Sequence, residues 1–201
     1  MLSHASLLPE NKVIQAWYHD NNDTKPPTTP HRPFPDEPVS LAFLATMGVE
    51  LTYMTLPPPN DVDLHMARLC EERQYKHHDQ LTLSFETDEG GWLPRIYTEH
   101  MHPDEEIRYV LEGDAYMDVR DPDDRWIRFH LVPGVLLVVP AGLYHRFTLT
   151  TSNRLKVVRL FKNPGGWISI VRDAESDKAA CHQAYLEAFR HKDATPKAAR
   201  E

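Results

Sequence analysis

His100-Met101-His102-Pro103-Asp104-Glu105-Glu106 decides how this chain is read, and Pro140-Ala141-Gly142-Leu143-Tyr144-His145 answers it downstream. Side chains alternate faces along a β-strand, so His100 and His102 share a face with Cα atoms roughly 6.6 Å apart, close enough for both imidazoles to reach one metal ion. Glu106 has the same parity, but on a straight strand its Cα would sit about 20 Å from that of His100. A shared ion therefore requires a bend, and Pro103-Asp104 places turn-favouring residues there. His145 is expected on another strand, because it follows an apolar run and a Pro-Ala-Gly corner.

Three imidazoles and a carboxylate, with no cysteine nearby, form a nitrogen and oxygen donor set suited to Fe(II), Ni(II), Mn(II) or Zn(II). In octahedral geometry four protein ligands leave two positions, enough for a bidentate substrate to be activated for attack by oxygen. The competing reading is that these are ordinary surface histidines, since the chain has 12. Spacing, carboxylate and distant histidine agree against it.

Around this stretch the chain reads as short strands: Ile107–Leu111, Ala115–Val119, Trp126–Leu131, Leu136–Val139, Arg146–Leu149 and Lys156–Phe161. Gly113-Asp114, Asp121–Asp124, Pro133-Gly134 and Ser152-Asn153 punctuate them as turns. Several short strands at this spacing indicate a sandwich or barrel. Trp167–Val171 is a further candidate strand, and Cys181, Ala184, Tyr185, Ala188 and Phe189 mark one face of a C-terminal helix. Before the site, Arg95-Ile96-Tyr97 leads into the β region. Leu81, Leu83 and Phe85 have period two, and Asp61–Arg73 carries Leu64, Met66, Ala67, Leu69 and Cys70 as a helix packed outside a sheet. Val49, Leu51 and Tyr53 form a half-buried strand stopped by Pro57-Pro58-Pro59. Ser40 caps a short helix over Leu41–Met47 that Gly48 ends. Val13–Tyr18 is a strand buried on both faces, and the proline-crowded stretch up to Pro38 is an irregular arm.

At 201 residues the chain makes one domain, 1–201, with a core over about 13–190 and flexible ends at 1–12 and 193–201. Hydrophobic content of 41% supports a globular core, and a net charge of -8 argues against a general grip on nucleic acid or an anionic membrane. A small-molecule partner fits better. Cys70 and Cys181 make neither a disulfide framework nor a zinc pattern, which suits a reducing compartment. No segment has the roughly 18 apolar residues of a membrane span, and the N-terminus lacks a secretory pattern. A cytoplasmic protein is expected, small enough to enter a nucleus passively.

The spaced set His100-x-His102-x3-Glu106-x6-Gly113 and Gly134-x5-Pro140-x-Gly142-x2-His145 resembles the two metal-binding motifs of the cupins. The closer resemblance is to the acireductone dioxygenases of methionine salvage. It is carried by Glu99–Tyr109, Tyr116–Asp121, Trp126–Arg128 and Pro140–Phe147, with weaker echoes at Ala16–Tyr18, Pro30–Pro33, Arg159–Phe161 and Trp167. Pro94 and Leu149 depart from the broad cupin pattern. Val135 and the segment Gln74–His78 depart from the nearer family, which bears on substrate fit more than on metal binding.

This resemblance implies a monomeric, mainly β cupin (double-stranded β-helix or jelly-roll) barrel with a few peripheral helices. It implies one Fe(II) or Ni(II) per chain, held by His100, His102, Glu106 and His145. The implied substrate is the acireductone 1,2-dihydroxy-3-keto-5-methylthiopentene with O2. Fe(II) members yield formate and 4-methylthio-2-oxobutanoate; Ni(II) members yield methylthiopropanoate, formate and CO. Arg108 shares the parity of Glu106 and, as a fixed cation, suits holding substrate oxygens; the competing role is an interior ion pair. Phe147 and Trp167 match aromatic positions that line the family's pocket, though either would also serve as plain core. Glu99 and Glu105 alternate away from the ligands, His130 faces opposite Ile127, Phe129 and Leu131, and adjacent His77-His78 point opposite ways. Two other readings stay open: a cupin dioxygenase or isomerase for another small oxygenated substrate, and a metal-binding cupin without catalysis.

Overall fold

The computed structural model of the chain describes residues 14–163 and 166–189. Val13 and the ends at 1–12 and 193–201 lie outside them. In chain order the elements are β1 (Ala16–Tyr18), β2 (Pro38–Val39), α1 (Leu41–Thr46), β3 (Glu50–Tyr53), α2 (Val62–Arg73), β4 (His77–Leu83) and α3 (Trp92–Tyr97). Then follow β5 (His100–Met101), β6 (Glu106–Gly113), β7 (Ala115–Arg120), β8 (Trp126–Leu131), β9 (Val135–Val139), β10 (His145–Leu149), β11 (Leu155–Phe161), β12 (Ile170–Val171) and α4 (Ala180–Phe189).

Short amphipathic strands bury their apolar faces only against one another, and here they do so by coiling. β4 pairs with β11, β5 with β10, β6 with β9 and β7 with β8, all antiparallel. Nested pairs of this kind are a long hairpin wound into two sheets, the jelly roll. One sheet runs β12-β5-β10-β7-β8-β1-β2 and the other β3-β9-β6-β11-β4. The mainly β barrel with few helices is the expected architecture.

Alternation then sorts the side chains. Ala115, Met117 and Val119, Ile127, Phe129 and Leu131, and Val135, Leu137 and Val139 fill the interior. Ile107, Tyr109, Leu136, Val138, Val158 and Leu160 face outward beneath α2, which covers them with Val62, Met66, Leu69 and Cys70. Leu64, expected to pack, is 55% exposed because the buried stripe runs 62-66-69-70 and leaves position 64 toward solvent. On the seven-stranded sheet the proline-rich arm plays the covering role. Arg128 points outward from β8 yet is fully buried, its Nη1 donating to Pro27 O at 2.9 Å and to Thr29 O, and its other guanidinium nitrogens donating to Asp118.

Other boundaries differ from the sequence reading. β1 is shorter than expected. The predicted strand at Trp167–Val171 shrinks to β12, leaving Trp167 in coil. β4 starts earlier, at His77, and Phe85 lies beyond its end, 46% exposed. The helix α3 was not anticipated: Asp88 accepts from Trp92 N and Leu93 N at 2.8 and 2.9 Å, and Pro94 sits in the first turn, where a missing N–H costs nothing. α1 is as expected, with the Ser40 hydroxyl accepting from Phe43 N at 3.1 Å and Gly48 at φ 79° just beyond.

Candidate metal centre

Register brings the site together. His100 on β5 is the direct antiparallel partner of His145 on β10, and their ring centroids are 4.5 Å apart. His102, two residues on, places its ring 4.9 Å from that of His100 and 5.0 Å from that of His145. Pro103 and Asp104 then carry the chain out of the seven-stranded sheet and into β6 of the facing sheet, so that Glu106 returns to the same point. Donor atoms of His100, His102, Glu106 and His145 lie within 4.8 Å of one another, and all four residues are buried.

Main-chain carbonyls orient every imidazole. The Nδ1 of His100 meets Thr98 O at 2.7 Å, that of His102 meets Ile168 O at 2.7 Å, and that of His145 meets Leu143 O at 2.8 Å. A carbonyl can only accept, so each Nδ1 carries the proton and each Nε2 its lone pair, the form in which histidine binds metal. The Nε2 atoms of His102 and His145 face Glu106 Oε2 at 3.0 and 3.3 Å, and His145 Nε2 is buried without a hydrogen-bond partner among the described residues. Lone pairs converging on a carboxylate in a buried pocket are satisfied by a cation, so the residues fit a divalent ion. Burial, reinforced by nearby His145, pushes His100 down to about 3, which keeps it neutral. Burial opposes charge on Glu106, but the Arg108 guanidinium beside it holds its carboxyl well below the usual carboxylate range.

Arg108 lies two residues past Glu106 on the same inner face. Its Nε donates to Glu106 Oε1, while its Nη1 is buried with no partner among the described residues. The guanidinium stands 4.4 Å from the Phe147 ring centroid and 5.2 Å from that of Trp167. The ion-pair role and a remaining donor thus coexist in one side chain. Phe147 is buried in the main core, and half-buried Trp167 stacks on His102 at 5.7 Å and 30°. Arg108, Phe147 and Trp167 therefore meet beside the four candidate ligands. Glu99 turns away to Arg120 and Arg172, and His130 turns outward to Asp114 at 2.6 Å, as alternation requires.

Sequence reasoning passed over two features. Arg159 is the cross-strand partner of Arg108, paired to Asp79 and 5.5 Å from the Trp167 ring; its parity with Val157 was the available signal. His19, Asp20 and His31 also lie within reach of one ion. Their arrangement suits packing rather than a metal: the two rings stack at 4.2 Å and 13°, so in-plane lone pairs do not converge, and His31 is bonded to Asp20 and Pro26 O.

The sequence model of the ARD/ARD' family matches residues 15–169. The chain belongs to that family. Members similar to it include acireductone dioxygenase 4 of Arabidopsis thaliana, 44% identical over 81% of this chain and 87% of the relative. The acireductone dioxygenase of Candida albicans is 42% identical over 84% of this chain and 94% of its own length, and that of Rattus norvegicus 40% identical over 81% and 91%. Among solved structures, the acireductone dioxygenase from Bacillus anthracis with a cadmium ion in its active centre superposes with a TM-score of 0.63, covering 78% of this chain and 97% of that one. At 22% identity this last likeness speaks for the cupin-type fold alone.

Proposed function

We propose that this family member is a metal-dependent acireductone dioxygenase, with His100, His102, Glu106 and His145 holding one divalent ion. The observation that carries the reading is the buried four-residue cluster with all three Nδ1 atoms committed to carbonyls, leaving three Nε2 lone pairs and a carboxylate converging. The substrate is 1,2-dihydroxy-3-keto-5-methylthiopentene. With Fe(II) it is cleaved by O2 to formate and 4-methylthio-2-oxobutanoate, and with Ni(II) to methylthiopropanoate, formate and CO; either product set contains every atom of substrate and O2. The donor set suits both ions, so metal supply selects the outcome.

A divalent ion held by His100, His102, Glu106 and His145 would supply Lewis acidity and a template for the enediolate substrate. The chain's own residues do the rest. Arg108 donates from Nη1 to an anionic substrate oxygen, its planar guanidinium held against the rings of Phe147 and Trp167, which restricts its angle of approach. These rings exclude water from the same space and offer an apolar wall to the methylthio tail. No helix among the described residues is long and apolar enough to cross a membrane, and a monomer acting on a small substrate is the assembly that fits.

Metal stoichiometry tests the site. Wild type dialysed against Fe(II) or Ni(II) retains one ion per chain, and His100→Ala and His145→Ala retain none. Full metal content in His145→Ala would remove that residue from the ligand set.

A further inference from the structure

The segment bearing His102 and Glu106 has a companion running antiparallel to it. Arg172 N donates to Glu99 O at 3.0 Å, Val171 and Ile170 pair with His100 and Met101, and Asn163 Nδ2 donates to Asp104 Oδ2 at 3.3 Å. Ile168 O receives the His102 Nδ1 proton, and Trp167 stacks on the same ring. Yet β12 is a sheet edge, with Ile168 69% and Val171 54% exposed. An element with so little buried apolar surface opens easily, although a ligand's orientation depends on it.

Glu105 supplies the missing anchor. Its carbonyl accepts from Trp167 Nε1 at 3.1 Å, and its carboxylate accepts from the Tyr75 hydroxyl and from Lys162 Nζ at 3.2 Å. Tyr75 is buried directly after α2, its N–H donating to Cys70 O at 2.8 Å, so the grip is rooted in the helix that covers the five-stranded sheet.

We propose that Glu105 is a positioning residue for the metal centre: held by Tyr75 and Lys162, it pins Trp167, and through Trp167 and Ile168 it fixes the His102 imidazole. The proposal rests on the metal-centre reading above. Outer partners that orient a ligating histidine commonly change metal affinity by 10–100-fold, so loosening this grip speeds metal loss by about 10-fold, the low end of that range.

The test loads wild type, Tyr75→Phe, Glu105→Ala and Lys162→Met with Ni(II), mixes each with excess chelator and follows Ni(II) release, with thermal unfolding of the metal-free proteins in parallel. Each variant is expected to release Ni(II) about 10-fold faster than wild type, with unfolding midpoints of the metal-free forms unchanged. Tyr75→Phe combined with Glu105→Ala releases no faster than Glu105→Ala alone, because Tyr75 acts through that carboxylate. Lys162→Met alters a half-exposed side chain and carries the test even where Tyr75→Phe folds poorly. Wild-type release rates in Glu105→Ala and Lys162→Met, with Ni(II) retained by wild type, overturn the positioning role alone. Failure of wild type to retain one Ni(II) per chain overturns the metal-centre reading and this role with it.

Discussion

Four side chains and three carbonyls make the centre, and their division of labour separates binding from chemistry. His145 offers a lone pair that nothing else in the described structure satisfies, whereas Arg108 touches the ligand set only through Glu106. Arg108→Ala is therefore expected to keep its metal and lose turnover by on the order of 10²–10³-fold in kcat, as when one preorganised donor is removed from a developing charge. Steady-state kinetics with metal analysis checks this, and parallel loss of both would assign Arg108 to metal binding. The clustering of the four candidate ligands was legible in the sequence because parity, a turn at Pro103-Asp104 and donor chemistry are local properties. The carbonyls of Thr98, Leu143 and Ile168 were not, since every residue has one and only the path of the chain aims it. The grip on Glu105 was hidden for the same reason: Tyr75 and Lys162 are remote from it in sequence.

Among the elements, the strands were readable by alternation, while six-residue α3 was not, being less than two turns long and set by a single aspartate. Two sites show how elements lock together. Gly142 has φ 80°, its N–H donates to His102 O at 2.9 Å, its carbonyl accepts from His182 Nδ1, and a Cβ there would stand 2.2 Å from Cys181 O. Gly142→Ala is expected to cost more than about 1 kcal/mol and to loosen α4, seen as faster amide exchange over Ala180–Phe189. Unchanged exchange there would mean that the corner yields without moving the helix. The second site is a row across three strands, Arg128, Asp118 and Arg146, closed off by the proline-rich arm. Burial opposes the Asp118 charge, but Arg128 and Arg146 hold its carboxyl below the usual range. A depressed native pKa stabilises the fold above the unfolded value of about 3.9 and loses that contribution as pH falls through the native value. Asp118→Asn, which strands fully buried Arg128, should thus lose about 3–5 kcal/mol at pH 7, with the two proteins converging in acid. Denaturant unfolding at neutral and acid pH reads the difference, and a pH-independent gap would remove the charge from the explanation.

For the molecule as a whole, jelly-roll winding places the four candidate ligands where the chain crosses between sheets, so a metal bound there would be thermodynamically linked to the fold. An ion at 100 times its Kd stabilises the native state by about 2.7 kcal/mol, which for a chain of this length raises Tm by roughly 5–10 °C. Chelation should reverse that shift in wild type and leave His145→Ala unmoved. The fold class was legible from turn spacing and strand length, whereas the covering of the seven-stranded sheet by the proline-rich arm was not, because its hydrogen bonds run from a buried arginine to carbonyls of residues without periodicity. The most direct test of the central claim is anaerobic addition of the acireductone to protein reconstituted separately with Fe(II) and with Ni(II), then oxygen and product analysis. The account predicts formate with the methylthio keto acid from the first, and formate, methylthiopropanoate and CO from the second. Absence of turnover with both, despite one tightly held ion per chain, would contradict it.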